Sequence, residues 1–522
     1  MEASVRTEAL ELNVSRERSL TRRASLNVLQ SLLDYSIKLG VGLLVVPILV
    51  SGLGRTLFGV WEMLSRLVGY LEPSDGRSAE ALRLVISNQQ HSDDHTAKRR
   101  WIGSALAVWV CFLPVWIVVG ALLIWLAPTV TKVPAELHTM VRVACALMMG
   151  TVLLGSLGTL PESVLRGVNL GYKRMGLQAG LSIVGGALLA GAVYVGGGLI
   201  GVTAAALVVA ALTGLFFIAV VRRQVPWFGV DRPRRAEVGS LLHMSIWLAL
   251  GDVVSKLLGS DVLVLGMVLS ASAVTTYVLT GYAGRLAINL HSLAAEAVMP
   301  GVAGVIGEKD FERAALLRRE LLAVTAIFAS AVGCTILLWN RSFIHLWVGP
   351  ENYAGTWSNL LIVLISVQSS FIRCDAYLID ATLQPARRVR VGLAAGIVTL
   401  GLSFLLTQWA GIAGLCLGIL TGRAIQTIGY PLMVRGCLGD ASGLSLAWLA
   451  RPLFVMGLLF AAAAYLGQHL LVDTWLTWTA VVVLTLLLAL AVALSVSLPQ
   501  ALRTAVLARV AEMARRLRSG ET

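Results

Sequence analysis

Leu53-Gly54-Arg55-Thr56-Leu57-Phe58-Gly59-Val60-Trp61, which runs on to Ala79-Glu80-Ala81-Leu82, has a faint copy 216 residues later. The copy reads Leu269-Ser270-Ala271-Ser272-Ala273-Val274-Thr275-Thr276-Tyr277 and runs on to Ala295-Glu296-Ala297-Val298, with no gap in the pairing. Ahead of each copy an acid and a base stand four residues apart in an apolar run. These are Asp34 with Lys38 and Asp252 with Lys256, at an offset of 218. Further on, Gly198-Leu199-Ile200-Gly201-Val202 is echoed by Gly411-Ile412-Ala413-Gly414-Leu415 at an offset of 213. The identities are few (Leu53/Leu269, Ala79/Ala295, Glu80/Glu296, Ala81/Ala297). It is the agreement of three separate offsets that makes the chain a duplication of two similar lobes.

Composition gives the class of those lobes. The chain is 57% hydrophobic and 14% charged, with a mean hydropathy of +0.80. An ordinary soluble protein has about a quarter charged residues. Apolar runs of bilayer-spanning length follow one another, so the expectation is an all-α polytopic membrane protein with fourteen spans. The spans fall near 26–50, 57–87, 101–127, 138–164, 174–195, 199–221, 240–268, 274–303, 320–340, 356–380, 391–409, 411–434, 447–467 and 474–498. The first twelve form two six-helix lobes in one orientation, a parallel repeat with a pseudo-twofold axis along the membrane normal. The last two have no counterpart. The division is a basic arm (1–25), a first lobe (26–221), a basic linker (222–237), a second lobe (238–436), two added spans (437–498) and a basic amphipathic tail (499–522).

The charges fit that topology. Of 42 Lys and Arg, seven lie in the bilayer parts of spans, with that of the second span ending near Leu71, and only Arg55, Lys132 and Arg341 fall on one side, which leaves 32 in the loops and span edges of the other. The positive-inside rule places both termini in the cytoplasm. Basic residues that flank spans exclude a nucleic-acid reading of the net charge of +13. The six cysteines sit in or beside apolar runs without a Cys-x-x-Cys pair, so neither a disulfide nor a metal is expected. Gly196-Gly197-Gly198 lacks the following Gly-Lys-Ser/Thr of a phosphate loop, so no nucleotide or other cofactor is expected.

Ionisable groups inside spans are costly, and they face a cavity or one another. The cations within spans are Lys38, Arg66, Arg142, Lys256, Arg285, Arg373 and Arg423; the acids to set beside them are Asp34, Asp252, Asp261, Asp375 and Asp380. Asn27, Gln30, Asp34 and Lys38 share one helical stripe, and Ser245, Asp252, Ser255, Lys256 and Gly259 share another. Opposed across a twofold axis, the two stripes would line a polar cavity. Each Asp/Lys pair could equally neutralise itself within its helix. Glu162 with Arg166 reads as a solvated ion pair, and Asp375 and Asp380 read as coupling-ion sites or as partners of Arg373.

The pattern Leu53-Gly54-x-x-x-Phe58-Gly59-Val60-Trp61 resembles the signature of bacterial polysaccharide flippases. So do Asp261-Val262-Leu263-Val264-Leu265-Gly266 with the later Tyr277 and Pro300, and the break before Gly411-Ile412-Ala413-Gly414. Over residues 26–436 the chain resembles a Wzx-type member of the multidrug/oligosaccharidyl-lipid/polysaccharide exporter superfamily. It departs at Ser270-Ala271-Ser272, where the family has a glycine. The resemblance implies a monomeric, multi-pass protein of the bacterial inner membrane. Its cargo would be an undecaprenyl-pyrophosphate-linked oligosaccharide for cell-surface polysaccharide, moved by alternating access. Membrane lipid, a polysaccharide polymerase and chain-length proteins are the implied partners. The seven cations are then the candidate headgroup ligands, since arginine binds phosphate oxygens bidentately, and the five aspartates are coupling or charge-pair groups. A lipid II flippase shares these features. A cation-coupled multidrug antiporter would not be expected to present so many cations. A membrane polymerase or ligase would need a larger outside loop than about 128–137 or 341–355, so no enzymatic activity is expected.

Overall fold

A computed structural model of the chain describes residues 2–72, 77–89, 92–170, 175–381, 385–439 and 446–497; the side chains before Leu33 lie outside that description, and so does the tail 499–522. The described residues are almost wholly helical and contain no strand. In order the helices are α1 Glu2–Gly69, α2 Ser78–Asn88, α3 His95–Thr131, α4 His138–Gly167, α5 Met175–Tyr194, α6 Gly198–Gln224 and α7 Arg235–Leu258. They continue with α8 Asp261–Val268, α9 Ala271–Thr280, α10 Tyr282–Gly307, α11 Phe311–Val348, α12 Thr356–Ala381, α13 Pro385–Leu438, α14 Leu446–His469 and α15 Trp475–Val492. Among the described residues 11 helices are long and apolar enough to cross a membrane, or 12 with the bent α10 taken as one span. The sequence reading expects fourteen. α1 and α13 each take in two expected spans, and each is broken by non-helical residues where those spans meet.

Both joints are made by one or two residues. Inside α1, Gly54 leaves helical space (φ 73°, ψ 166°) and the helix resumes at once. Inside α13, Ala410 and Gly411 do the same, with Gly411 at φ 57° and ψ −134°. The residue aligned with Gly54 in the second copy is Ser270, which is also non-helical (φ −167°, ψ 163°) and separates α8 from α9. Its hydroxyl accepts from the Ala273 N–H at 3.2 Å, so a side-chain cap stands where the first copy uses a glycine. The pair Gly198 and Gly411 also matches, with φ 55° and 57°. The two copies therefore break at corresponding residues.

The span expected at 240–268 is interrupted. α7 stops at Leu258, and Gly259-Ser260 separates it from α8. The expected arm 1–25 is helical in its backbone, as the first part of α1.

The described residues form two compact units that part between Val253 and Val254, inside α7. In the first, Ala81, Leu82 and Ile86 of α2 bury against Ile102, Ala105 and Val108 of α3 and Leu160, Val164 and Leu165 of α4. The linker 222–237 belongs to this packing. Arg99 donates to the Trp227 carbonyl at 2.7 Å, Arg100 pairs with Glu237 at 3.0 Å, and the buried Lys98 lies 5.2 Å over the Trp227 ring. Asp94 caps α3 through the Ala97 N–H; the Thr96 hydroxyl and then that N–H hold its carboxyl below the usual carboxylate range.

In the second unit α11 is the most enclosed of the candidate spans, with 67% of its most apolar window buried. One side of it meets α10, α12 and α13 through Ala314, Ala315, Val305, Ile379 and Val434. Its other side carries the two added helices: Cys334 and Leu337 pack with Met456 and Phe460 of α14 and Ala489 of α15.

Candidate functional site

The second unit holds most of the buried polar chemistry, and α12 organises it. Ser369, Arg373 and Tyr377 recur every four residues and so share one face. Ser369 accepts from Arg423 of α13 at 2.7 Å, Arg373 donates to the Ser292 hydroxyl of α10, and Tyr377 donates to Glu296 of α10 at 2.9 Å. Arg423 also donates to the Leu258 carbonyl at 2.9 Å, at the C-terminal end of α7, where a cation complements the helix dipole. Arg285 donates to the Val278 carbonyl. Asp261, in the first turn of α8, accepts from the Tyr277 hydroxyl at 2.7 Å. Three of the candidate guanidiniums are thus half-buried in spans, with neutral hydrogen-bond partners.

A second face of α12 carries a different arrangement. Leu364, Gln368, Phe371 and Asp375 line a mainly apolar cavity of about 580 Å³, closed by Leu420 and Pro431 of α13 and Leu453 of α14. At its floor Arg318 of α11 makes two hydrogen bonds to Asp375, at 2.7 and 3.0 Å, and both residues are buried. This corrects the expected partner of Asp375: it is Arg318, not Arg373. Asp380 is likewise paired elsewhere, with Arg388 of α13. The sequence reading leaves Arg318 in a cytoplasmic loop because it lies near the end of an apolar run. Its helical register gives it away, since Ala314, Ala315, Arg318, Leu322 and Thr325 form one buried stripe.

The remaining candidates are more dispersed. In the first unit Lys38, Arg66 and Arg142 are exposed, and Asp34 is half-buried. Asp252 lies 3.8 Å from Arg77, a cation the sequence reading counts among those after the bilayer part of the second span. In the second unit Lys256 is half-buried near the end of α7. Asn27 and Gln30, named for the first stripe, fall outside the described side chains. Glu162 and Arg166 stand 3.8 Å apart, but only Arg166 is exposed; the Glu162 side chain is largely enclosed, so the pair is solvated at one end alone. Among the described residues no cluster of three or more His, Cys, Asp or Glu side chains could hold a metal.

No protein-family model and no curated protein sequence matches the chain. Solved structures do. An inward-facing multidrug resistance transporter of the MATE family, in the MOP superfamily, superposes with a TM-score of 0.63 at 14% identity, over 79% of this chain and 99% of the transporter. The lipid II flippase MurJ, in an inward closed conformation, gives 0.62 at 14% identity, over 88% of this chain and 98% of the flippase. An outward-facing MATE transporter gives 0.53 at 14% identity, over 81% of this chain and 95% of its own length. At such identities the likeness is one of fold: this is an all-α, polytopic membrane protein with the fold of these transporters.

Proposed function

We propose that the chain flips an undecaprenyl-pyrophosphate-linked oligosaccharide across the bacterial inner membrane for cell-surface polysaccharide. The observation that carries this reading is the trio Arg285, Arg373 and Arg423. Each is held in a membrane-spanning region by hydroxyls or carbonyls, so its charge is not cancelled by its hydrogen-bond partner. Such an interior favours an anionic headgroup and disfavours a cationic drug. Arginine forks bind pyrophosphate oxygens bidentately, and the serine hydroxyls give way to them without leaving a buried charge. Lys38, Arg66, Arg142 and Lys256 stand as further headgroup contacts, and Asp34, Asp252 and Asp261 as charge partners or coupling groups. Solved proteins of this fold exist in inward-facing and outward-facing forms, which supports alternating access here.

Lipid II is the second cargo to consider, because the match to the lipid II flippase extends over more of this chain than the MATE matches do. The two cargoes share the pyrophosphate and differ in sugar. The test uses the purified full chain in proteoliposomes, with fluorescent undecaprenyl-pyrophosphate oligosaccharide in one set and fluorescent lipid II in another. The oligosaccharide lipid is expected to equilibrate faster than in empty liposomes, and Arg373→Gln with Arg423→Gln to slow it about tenfold or more. Rates equal to those of empty liposomes end the proposal. Movement of lipid II alone replaces it with the second cargo.

A further inference from the structure

The first unit contains a pair of neighbouring chambers that the pyrophosphate reading does not use. One, of about 330 Å³, lies among α2 and α4 and is walled by Glu80, Arg83, Ser156, Glu162, Ser163 and Arg166. The other, of about 340 Å³, is a trough among α4, α5 and α6, walled by Leu181, Val209, Ala210 and Phe217, with Gln178 among them. Gly155, Thr159 and Glu162 line both, so the two share a wall. A polar chamber beside an apolar trough matches the two ends of an amphiphile.

The hydrogen-bond inventory narrows the headgroup. The hydroxyl protons of the first chamber are already committed within α4. Ser156 donates to the Leu153 carbonyl at 2.9 Å, Thr159 to the Ser156 carbonyl at 2.7 Å, and Ser163 to the Leu160 carbonyl at 2.7 Å. Ser156 also accepts from the Trp109 indole N–H at 2.9 Å. The rest of the chamber wall is charged: Glu72, Glu80 and Glu162 supply acceptors, and Arg77, Arg83 and Arg166 supply donors. Three acids and three bases give no net attraction for a bare anion. Such a wall suits a neutral ligand whose groups both donate and accept, as sugar hydroxyls do, and an apolar chain fills the trough.

We infer that these chambers bind a glycolipid, with a sugar residue of the headgroup in the chamber of α2 and α4 and the first part of the lipid chain in the trough of α4, α5 and α6. The inference rests on the reading of a lipid-linked glycan as cargo and adds where the first unit recognises the sugar. Gly155 provides the probe, because it lines both chambers and a Cβ built on it meets nothing within 4 Å, so a larger side chain takes up their space. The experiment is native mass spectrometry of the full chain in a sugar-free detergent. The ligands are undecaprenyl pyrophosphate carrying one N-acetylglucosamine, undecaprenyl pyrophosphate alone, and phosphatidylglycerol. The unaltered chain is expected to retain the glycosylated lipid about tenfold better than the bare pyrophosphate. Gly155→Leu and Glu162→Gln should each erase that preference while binding of the bare pyrophosphate persists. An undiminished preference in both variants overturns the site and leaves the proposed cargo standing. Equal retention of phosphatidylglycerol and the glycosylated lipid makes the trough a general lipid seat and also overturns it. Failure of every undecaprenyl lipid to bind removes the cargo reading, and the site with it.

Discussion

Arg318 and Asp375 illustrate what a buried charge does in this molecule. Both are nearly inaccessible, and the guanidinium fork meets the carboxylate with two bonds. Removing one partner leaves an uncompensated charge, which typically costs about 3–5 kcal/mol, whereas replacing both with apolar groups is often neutral. Arg318→Met and Asp375→Leu should therefore each lower the thermal unfolding midpoint in detergent, and the double variant should recover most of the loss. Additive losses would show that the pair is not the stabilising unit. Arg373 and Arg423 differ in that hydroxyls and carbonyls hold them, so on the proposed function their replacement is expected to bear on cargo more than on stability. Charge counting along the sequence does not separate these two kinds of arginine. It finds Arg373 and Arg423 because they lie mid-span, and it passes over Arg318 because a span edge and a cytoplasmic loop share the same composition. Only the neighbouring helical stripe places Arg318 inside.

At the level of the helix, the duplication is carried by where helices break. Gly54 occupies a backbone region open essentially to glycine, and its Cβ position is otherwise empty. Gly54→Ala should then destabilise by about 1–3 kcal/mol through the backbone alone. The aligned Ser270 has extended backbone that any residue adopts, so Ser270→Gly should cost only about a few tenths of a kcal/mol, because glycine is itself tolerated as a cap. Thermal unfolding of the two variants side by side checks the asymmetry, and a tolerant Gly54 would show that the break is not held by its dihedral angles. The sequence departure at Ser270 thus changes the device and keeps the break. The constant offset of 216 residues makes that correspondence legible in the sequence itself. The interruption between α7 and α8 is not legible in the same way. Gly259-Ser260 lies between Lys256 and Asp261 inside a stretch whose length reads as one span, and the carbonyl that Leu258 turns towards Arg423 leaves no trace in hydropathy.

For the molecule as a whole, hydropathy reveals the class and the number of apolar runs, because bilayer thickness imposes one length on every span. It does not reveal which cations are engaged. Lys98, Arg99 and Arg100 contribute to the positive-inside count, yet they hold the 222–237 linker against α3 through Trp227 and Glu237. The charge asymmetry still predicts orientation, since insertion responds to basic residues flanking spans before tertiary contacts form. On that reading Ala236, in the first turn of α7, faces the cytoplasm, while Glu136 and Glu351, both exposed and next to short turns, face outward. Single cysteines at these positions, in a chain whose six native cysteines are replaced, should report it. A membrane-impermeant maleimide applied to intact cells should label Glu136→Cys and Glu351→Cys, and Ala236→Cys only after permeabilisation. The reverse pattern would invert the topology and place the basic surface on the outer side. Labelling on one side at both Glu136 and Ala236 would instead remove one of the three crossings between them, and α5 would be the helix to re-examine, because its 20 residues make it the shortest of α4, α5 and α6.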